Sequence, residues 1–212
     1  MHDVGIYENL ILGIHFLLLK KCKIFDEKTI VTCYTGRSMR IKVRKHERRG
    51  YQSIKMSNIL EKQFLKQRND FVTIEKSCVE RDKKYHFPQG VIFETDIAYA
   101  KDKNKAHRLD RYRPKGKETQ ILPVIINVHG GGLLLGNKEF NKYFCALLSK
   151  KGFLVYSMEY RLIPDCTFFD QLRDIFLAMD FVKEHAAADG GDLSHVYLVG
   201  DSGGACLATY AN

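Results

Sequence analysis

Ser202 stands between glycines in the run Gly200-Asp201-Ser202-Gly203-Gly204, the pattern G-x-S-x-G. A serine on a sharp strand-to-helix turn has its hydroxyl lifted above the sheet, where it can attack a carbonyl carbon. Gly200 and Gly204 are required there because side chains would collide with the neighbouring strand and helix. The amide of Gly203 falls at the start of the following helix, so it can donate to a developing oxyanion with support from the helix dipole. A second run, His129-Gly130-Gly131-Gly132, follows a strand-like segment. Consecutive glycines let backbone N–H groups converge on one point, and each such donor is worth on the order of 10²–10³ in turnover. Gly131 and Gly132 are the expected donors, with a plain tight turn as the alternative. His129 is expected to order this loop by hydrogen bonding, and Asp201 to make local loop contacts.

These residues need a scaffold, and the hydrophobic pattern describes one. Pro123–Val128, Phe153–Tyr156 and Val196–Val199 are short, nearly continuous apolar runs of strand length. Between them, Phe140, Tyr143, Phe144, Leu147 and Leu148, then Leu172, Ile175, Phe176, Met179 and Val182, recur at helical spacing. Lys150, Lys151 and Gly152 close the first helix, the second ends near Gly190-Gly191, and another begins at about Ala205. Strands apolar on both faces must be covered on both faces, which predicts an α/β fold with a mostly parallel sheet wrapped by helices. Val91–Phe93, continued by Ile97–Ala100, and His107–Arg113 form an antiparallel hairpin at its edge, turning at Lys101–Lys105. Phe71–Ile74 reads as a further strand, Ser53–Asn69 as a helix, and Asn9–Leu19 as a short helix lying on the domain. Residues 1–50 are thus expected to be a basic leader, 51–90 a helical, cap-like or edge segment, and 91–212 the start of a catalytic domain.

Composition narrows the class. Of 212 residues 45% are hydrophobic and 28% charged, enough for a packed core. The net charge of +9 is concentrated: Lys20 to Arg49 holds eleven Lys/Arg against three acids. With no recognition motif beside it, this charge reads as a solvated leader, and no nucleic-acid partner is expected. The run Asn9–Leu19 is shorter than the ~20 apolar residues of a membrane span and lacks a preceding positive charge, so neither stable insertion nor a signal peptide is expected. The six cysteines show no C-x-x-C or paired spacing, so no disulfide framework, metal site or other cofactor is expected, and a cytoplasmic setting fits. Cys145 and Cys206 fall in amphipathic or buried patterns.

With both glycine motifs in order, the stretch from about Val91 to Asn212 resembles the α/β-hydrolase fold-3 family, the hormone-sensitive-lipase-like esterases. Leu109-Asp110-Arg111-Tyr112-Arg113-Pro114 is similar to the family's D-x-Y-x-P strand, and Tyr160-Arg161-Leu162-Ile163-Pro164 to its Y-R-L-A-P. Gly203 departs from the family's usual alanine. The resemblance implies a serine hydrolase of small esters that works through an acyl-enzyme, with Ser202 as nucleophile and amides of Gly131, Gly132 and Gly203 as the oxyanion hole. It also implies an acid and a histidine after the serine, in the order Ser, Asp/Glu, His. Only ten residues follow Ser202 and no histidine lies beyond His195, so the expected domain is truncated after the nucleophile strand and elbow. His107 and His185 read as surface residues and His195 lies at the far end of its strand, so none serves as general base. Two other readings stand beside the esterase: an inactive gene fragment, and a non-catalytic partner-binding protein covering an otherwise exposed sheet edge. G-D-S-G-G also occurs in trypsin-like proteases, but those are all-β and place histidine and aspartate before the serine. Acyl and alcohol preference and oligomeric state are not encoded in these motifs.

Overall fold

A computed structural model describes residues 72–211, helical positions 62, 63, 65, 66 and 69, and the backbone of two strands nearer the N-terminus. Those strands are β1 (Lys21–Cys22) and β2 (Thr29–Tyr34). Then follow α1 (Val72–Lys84), β3 (Val91–Ala98), β4 (Arg108–Pro114) and β5 (Leu122–Val128). A 3₁₀ turn (Lys138–Asn141) leads into α2 (Lys142–Lys150), β6 (Leu154–Met158), α3 (Phe168–His185), β7 (Gly191–Asp201) and α4 (Ser202–Tyr210). The strands form one sheet in the order β1-β2-β7-β5-β6-β4-β3. Its centre, β2-β7-β5-β6, is parallel, and each edge is closed by antiparallel pairing. The α/β class and the antiparallel β3–β4 hairpin agree with the sequence pattern.

The double-sided hydrophobicity of the central strands is used as expected. Val124, Ile126 and Val128 of β5 pack with Leu154, Tyr156 and Met158 of β6, Val196 and Leu198 of β7, and the apolar stripes of α3 and α4. Ile125 and Val155 face the opposite side, against Cys145 and Ala146 of α2. Each alternate residue thus enters a different layer, as the period of two in a strand requires. The α3 N-terminus is fixed by a reciprocal capping box between Thr167 and Asp170.

Four expectations are corrected. The strand expected over 71–74 is, from Val72 on, part of a helix, Val72–Lys84. Its β-branched residues are overridden by tertiary anchoring, with Arg81 donating to the Phe140 and Glu139 carbonyls and the Tyr143 hydroxyl donating to the Tyr85 carbonyl. The edge beside β7 is occupied: β2 pairs with it in parallel from Ile30↔Tyr197 to Tyr34↔Asp201. His107 is buried, held between the Asp102 and Asp174 carboxylates at 2.7 and 3.1 Å. Cys206 is exposed, whereas Cys145 is buried. The helices expected over 9–19 and 53–69 lie outside the described residues, apart from the helical positions named above. No helix among the described residues is long and apolar enough to cross a membrane.

Candidate active site

The two glycine motifs leave the same ends of adjacent parallel strands, with Val128 of β5 in register with Gly200 of β7. Neighbouring strands are ~4.8 Å apart, so sheet pairing alone brings the 129–132 loop beside Ser202. In open α/β sheets this carboxyl end is where ligands bind.

Ser202 is exposed and has φ +47°, a left-handed conformation costing a non-glycine residue about 1–2 kcal/mol. Its surroundings enforce that turn. A β-carbon on Gly200 would meet the Gly204 and Ala205 backbone at 2.6–2.7 Å, and one on Gly204 would lie 2.2 Å from the Val128 carbonyl oxygen. Both positions are closed to any other residue. At Gly203, an added β-carbon would sit 3.0 Å from the Leu133 amide nitrogen and 3.1 Å from that of Gly132. The residue after the serine thus lies against the glycine loop, and it is where this sequence departs from the family's alanine.

The loop itself winds through three successive left-handed residues, Gly131 (φ +127°), Gly132 (+62°) and Leu133 (+70°). Gly131 cannot carry a side chain, because a β-carbon there would lie 2.0 Å from the Leu135 carbonyl oxygen. Its carbonyl accepts the amides of Leu134 and Leu135, and the Gly130 amide donates to the Asp201 carboxylate at 2.9 Å. Gly131, Gly132 and Leu133 are left with N–H groups that no acceptor among the described residues engages. On the other side of the site, the first amides of α4 have no intrahelical acceptor, as at any helix N-terminus.

A polar frame holds this loop. His129 is fully buried, its Nδ1 2.7 Å from the Gly130 carbonyl and its Nε2 2.9 Å from Glu159 Oε1. Its ring stacks on Tyr160 at 4.3 Å, and the Tyr160 hydroxyl donates to the His129 carbonyl. Burial pushes the Tyr160 phenol far up, so it remains a donor. Glu159 also accepts the Lys138 amide. Asp201 Oδ1 additionally accepts Asn141 Nδ2 at 2.8 Å. The Leu133 carbonyl accepts from the Ile163 amide and from Gln171 Nε2. Arg161 is locked to Asp174 through Nε and Nη2, a pairing that raises its already high pKa.

The structure therefore brings together Gly130, Gly131, Gly132, Gly200, Asp201, Ser202, Gly203 and Gly204, with His129 directly behind them. Among the described residues, three further histidines are engaged elsewhere: His107 as above, His185 on the Phe181 carbonyl, and His195 on Asp192 and Ser194. Sequence reasoning missed Glu159, Asn141 and Gln171. Glu159 had a signal, since it immediately precedes the Y-R-L-I-P run. Gln171 had another: it is a polar residue four before Ile175 on the apolar stripe of α3. Asn141 had none, because its role depends on where the 3₁₀ turn lands.

The BD-FAE family model matches residues 109–212. A probable isoprenylcysteine alpha-carbonyl methylesterase of Oryza sativa subsp. japonica is 36% identical over 102 residues, 48% of this chain and 24% of that protein. The versiconal hemiacetal acetate esterase of Dothistroma septosporum is 32% identical over 98 residues, 46% of this chain and 30% of that protein. Among solved structures, esterase B from Lactobacillus rhamnosis, described with a C4-C4 tributyrin phosphonate, superposes with a TM-score of 0.68 at 30% identity, covering 71% of this chain and 49% of that one. The chain thus spans less than a third of these curated relatives' length. From the matched family model, the shared fold and the four motifs in order, residues 109–212 are an α/β-hydrolase segment of the fold-3, hormone-sensitive-lipase-like kind.

Proposed function

We propose that Ser202 is the nucleophile of a carboxylic ester hydrolase acting on small esters. The observation that carries this reading is the seating of Gly203, one residue past a left-handed exposed serine, so close to the glycine loop that a β-carbon added to it would lie 3.0 and 3.1 Å from the amide nitrogens of Leu133 and Gly132. Attack of Ser202 Oγ on an ester carbonyl would turn the carbonyl oxygen into an oxyanion between the elbow and the glycine loop. Amides of Gly131, Gly132 and Gly203 would stabilise it, and their positions are set before substrate arrives, so little reorganisation is needed. Collapse expels the alcohol and leaves an acyl-serine, which water then hydrolyses. The esterase names of these relatives and the phosphonate-bearing neighbour support the ester class.

The proton acceptor for Ser202 is expected from a histidine outside the described residues, since His107, His129, His185 and His195 are all committed to other partners and His86 leads into β3, the edge strand four places along the sheet from β7. That commitment also favours the second reading, a non-catalytic or partner-dependent protein. Both meet in one experiment on the 212-residue chain: fluorophosphonate labelling mapped by mass spectrometry, run beside hydrolysis of p-nitrophenyl acetate. Slow modification at Ser202, assisted by the oxyanion-loop amides without a general base and lost in Ser202→Ala, with negligible steady hydrolysis, is the expected result. Labelling at another residue, or hydrolysis unaffected by Ser202→Ala, would overturn the assignment.

A further inference from the structure

Gln171 lies on the second turn of α3, with its side chain wholly inside the protein. Its carboxamide nitrogen donates twice, to the Leu133 carbonyl at 2.9 Å and to the Arg161 carbonyl at 2.8 Å. Its oxygen has no hydrogen-bond partner among the described residues. The orientation follows from chemistry, because turning the amide over would set an oxygen against two carbonyl oxygens. A buried acceptor left unsatisfied costs about 1–3 kcal/mol, and a leucine or methionine at this apolar-stripe position would not carry that cost. A buried amide kept at that cost calls for an explanation in what its nitrogen holds.

What it holds is Leu133. This residue closes the run of three left-handed conformations, a geometry that leucine does not choose by itself. Its amide nitrogen faces Gly203 of the elbow, while its carbonyl is pinned from the other side by Gln171 and the Ile163 amide. The second bond from Gln171, to Arg161, ties that clamp to the segment Asp174 anchors. One amide group therefore bridges the glycine loop, the Y-R-L-I-P segment and α3.

We infer that Gln171 is a positioning residue for the oxyanion loop: by holding the Leu133 carbonyl, it fixes where the Gly132 and Leu133 amides point. This rests on the ester-hydrolase reading for its chemical consequence, but not for the clamp itself. The test uses the full chain with Gln171→Leu, and the unbranched Gln171→Met, closer to glutamine in shape, in case the first variant fails to fold. Hydrogen exchange reads the clamp without any turnover. The amides of Leu134, Leu135 and Ile163, bonded in and beside the loop, should exchange faster in the variants, while those of β5 and β7 do not change. Phosphonylation of Ser202, separated into reagent affinity and maximal rate, reads the consequence. The maximal rate should fall about 10-fold or more with affinity unchanged, since small misplacements of catalytic groups carry penalties of that order. The melting temperature of Gln171→Leu should fall by no more than a few degrees, since loss of the bonds to the Leu133 and Arg161 carbonyls is partly offset by removal of the unpartnered oxygen. Unchanged exchange of the loop amides in a folded variant would overturn the inference. Faster exchange in a protein whose Ser202 is never phosphonylated would uphold the clamp and sink the ester-hydrolase reading instead.

Discussion

The Asp201 carboxylate accepts the backbone amide of Gly130, 71 residues earlier in the chain, at 2.9 Å, and the same oxygen accepts Asn141 Nδ2 at 2.8 Å. The residue before the nucleophile thereby ties the glycine loop to the elbow through its own side chain. Asp201→Ala leaves the Gly130 N–H and the Asn141 amide without this partner inside the protein, at about 1–3 kcal/mol. It should lower both the melting temperature and the rate of Ser202 phosphonylation. Asp201→Asn keeps one acceptor oxygen and should fall between the two. A variant that loses stability but phosphonylates at the wild-type rate would show that this tie does not position the loop.

Glycine substitutions should separate by space rather than by φ alone. Gly116 has φ +80° and open surroundings, so Gly116→Ala costs only the backbone term of about 1–2 kcal/mol, a few degrees of melting temperature. Gly204 has ordinary φ, yet its β-carbon would press into the Val128 and His129 carbonyl oxygens at 2.2 and 2.4 Å. Gly204→Ala should therefore be far more damaging. Thermal unfolding of the two variants side by side checks the order.

The start of α3 carries a pH-dependent contribution. Hydrogen bonds from the Thr167 side chain and then its backbone hold the Asp170 carboxyl below its ordinary value of 3.8. A lowered folded-state pKa means the stabilisation is present above about 4 and lost as pH falls through the depressed value. Asp170→Asn should thus cost stability at pH 7 and much less near pH 2. Thr167→Ala should cost about 1 kcal/mol at neutral pH. Equal cost at both pH values for Asp170→Asn would contradict the capping assignment.

Thiol labelling should follow burial. Cys145 is fully buried, and its burial pushes the thiol up to about 12; burial moves Cys166 to about 12 as well. Cys206 is exposed. At pH 8 iodoacetamide should modify Cys206 in the native protein and reach Cys145 only on unfolding, as peptide mass mapping will report. Native modification of Cys145 would mean that the α2 side of the core opens readily.

The β5–β6–β7 part of the parallel sheet was legible because β5, β6 and the Val196–Val199 stretch of β7 are nearly all apolar, and the two motifs could be assigned to their strand ends. The elbow glycines were legible for the same reason: their spacing is dictated by contacts within one strand–turn–helix unit. What escaped was long-range. Phe71–Ile74 has strand-like residues, but Arg81 and Tyr85, ten residues on, anchor that segment as a helix. His107 looked like a surface residue because its partners, Asp102 and Asp174, lie on two different elements. The pairing of Thr29–Tyr34 with β7 is a register between residues more than 160 apart, which periodicity within either segment cannot report. The polar frame of Glu159, Asn141 and Gln171 is of the same kind, since each acts across the fold.

The account turns on whether Ser202's oxygen and the glycine-loop amides share one reacting atom. A crystal structure of the phosphonylated chain measures this directly. The account predicts phosphorus bonded to Ser202 Oγ, with a phosphoryl oxygen about 3 Å from the amides of Gly132 and Gly203, the usual N–H···O distance. An adduct whose oxygen turns away from both amides, or one formed on another residue, would contradict it.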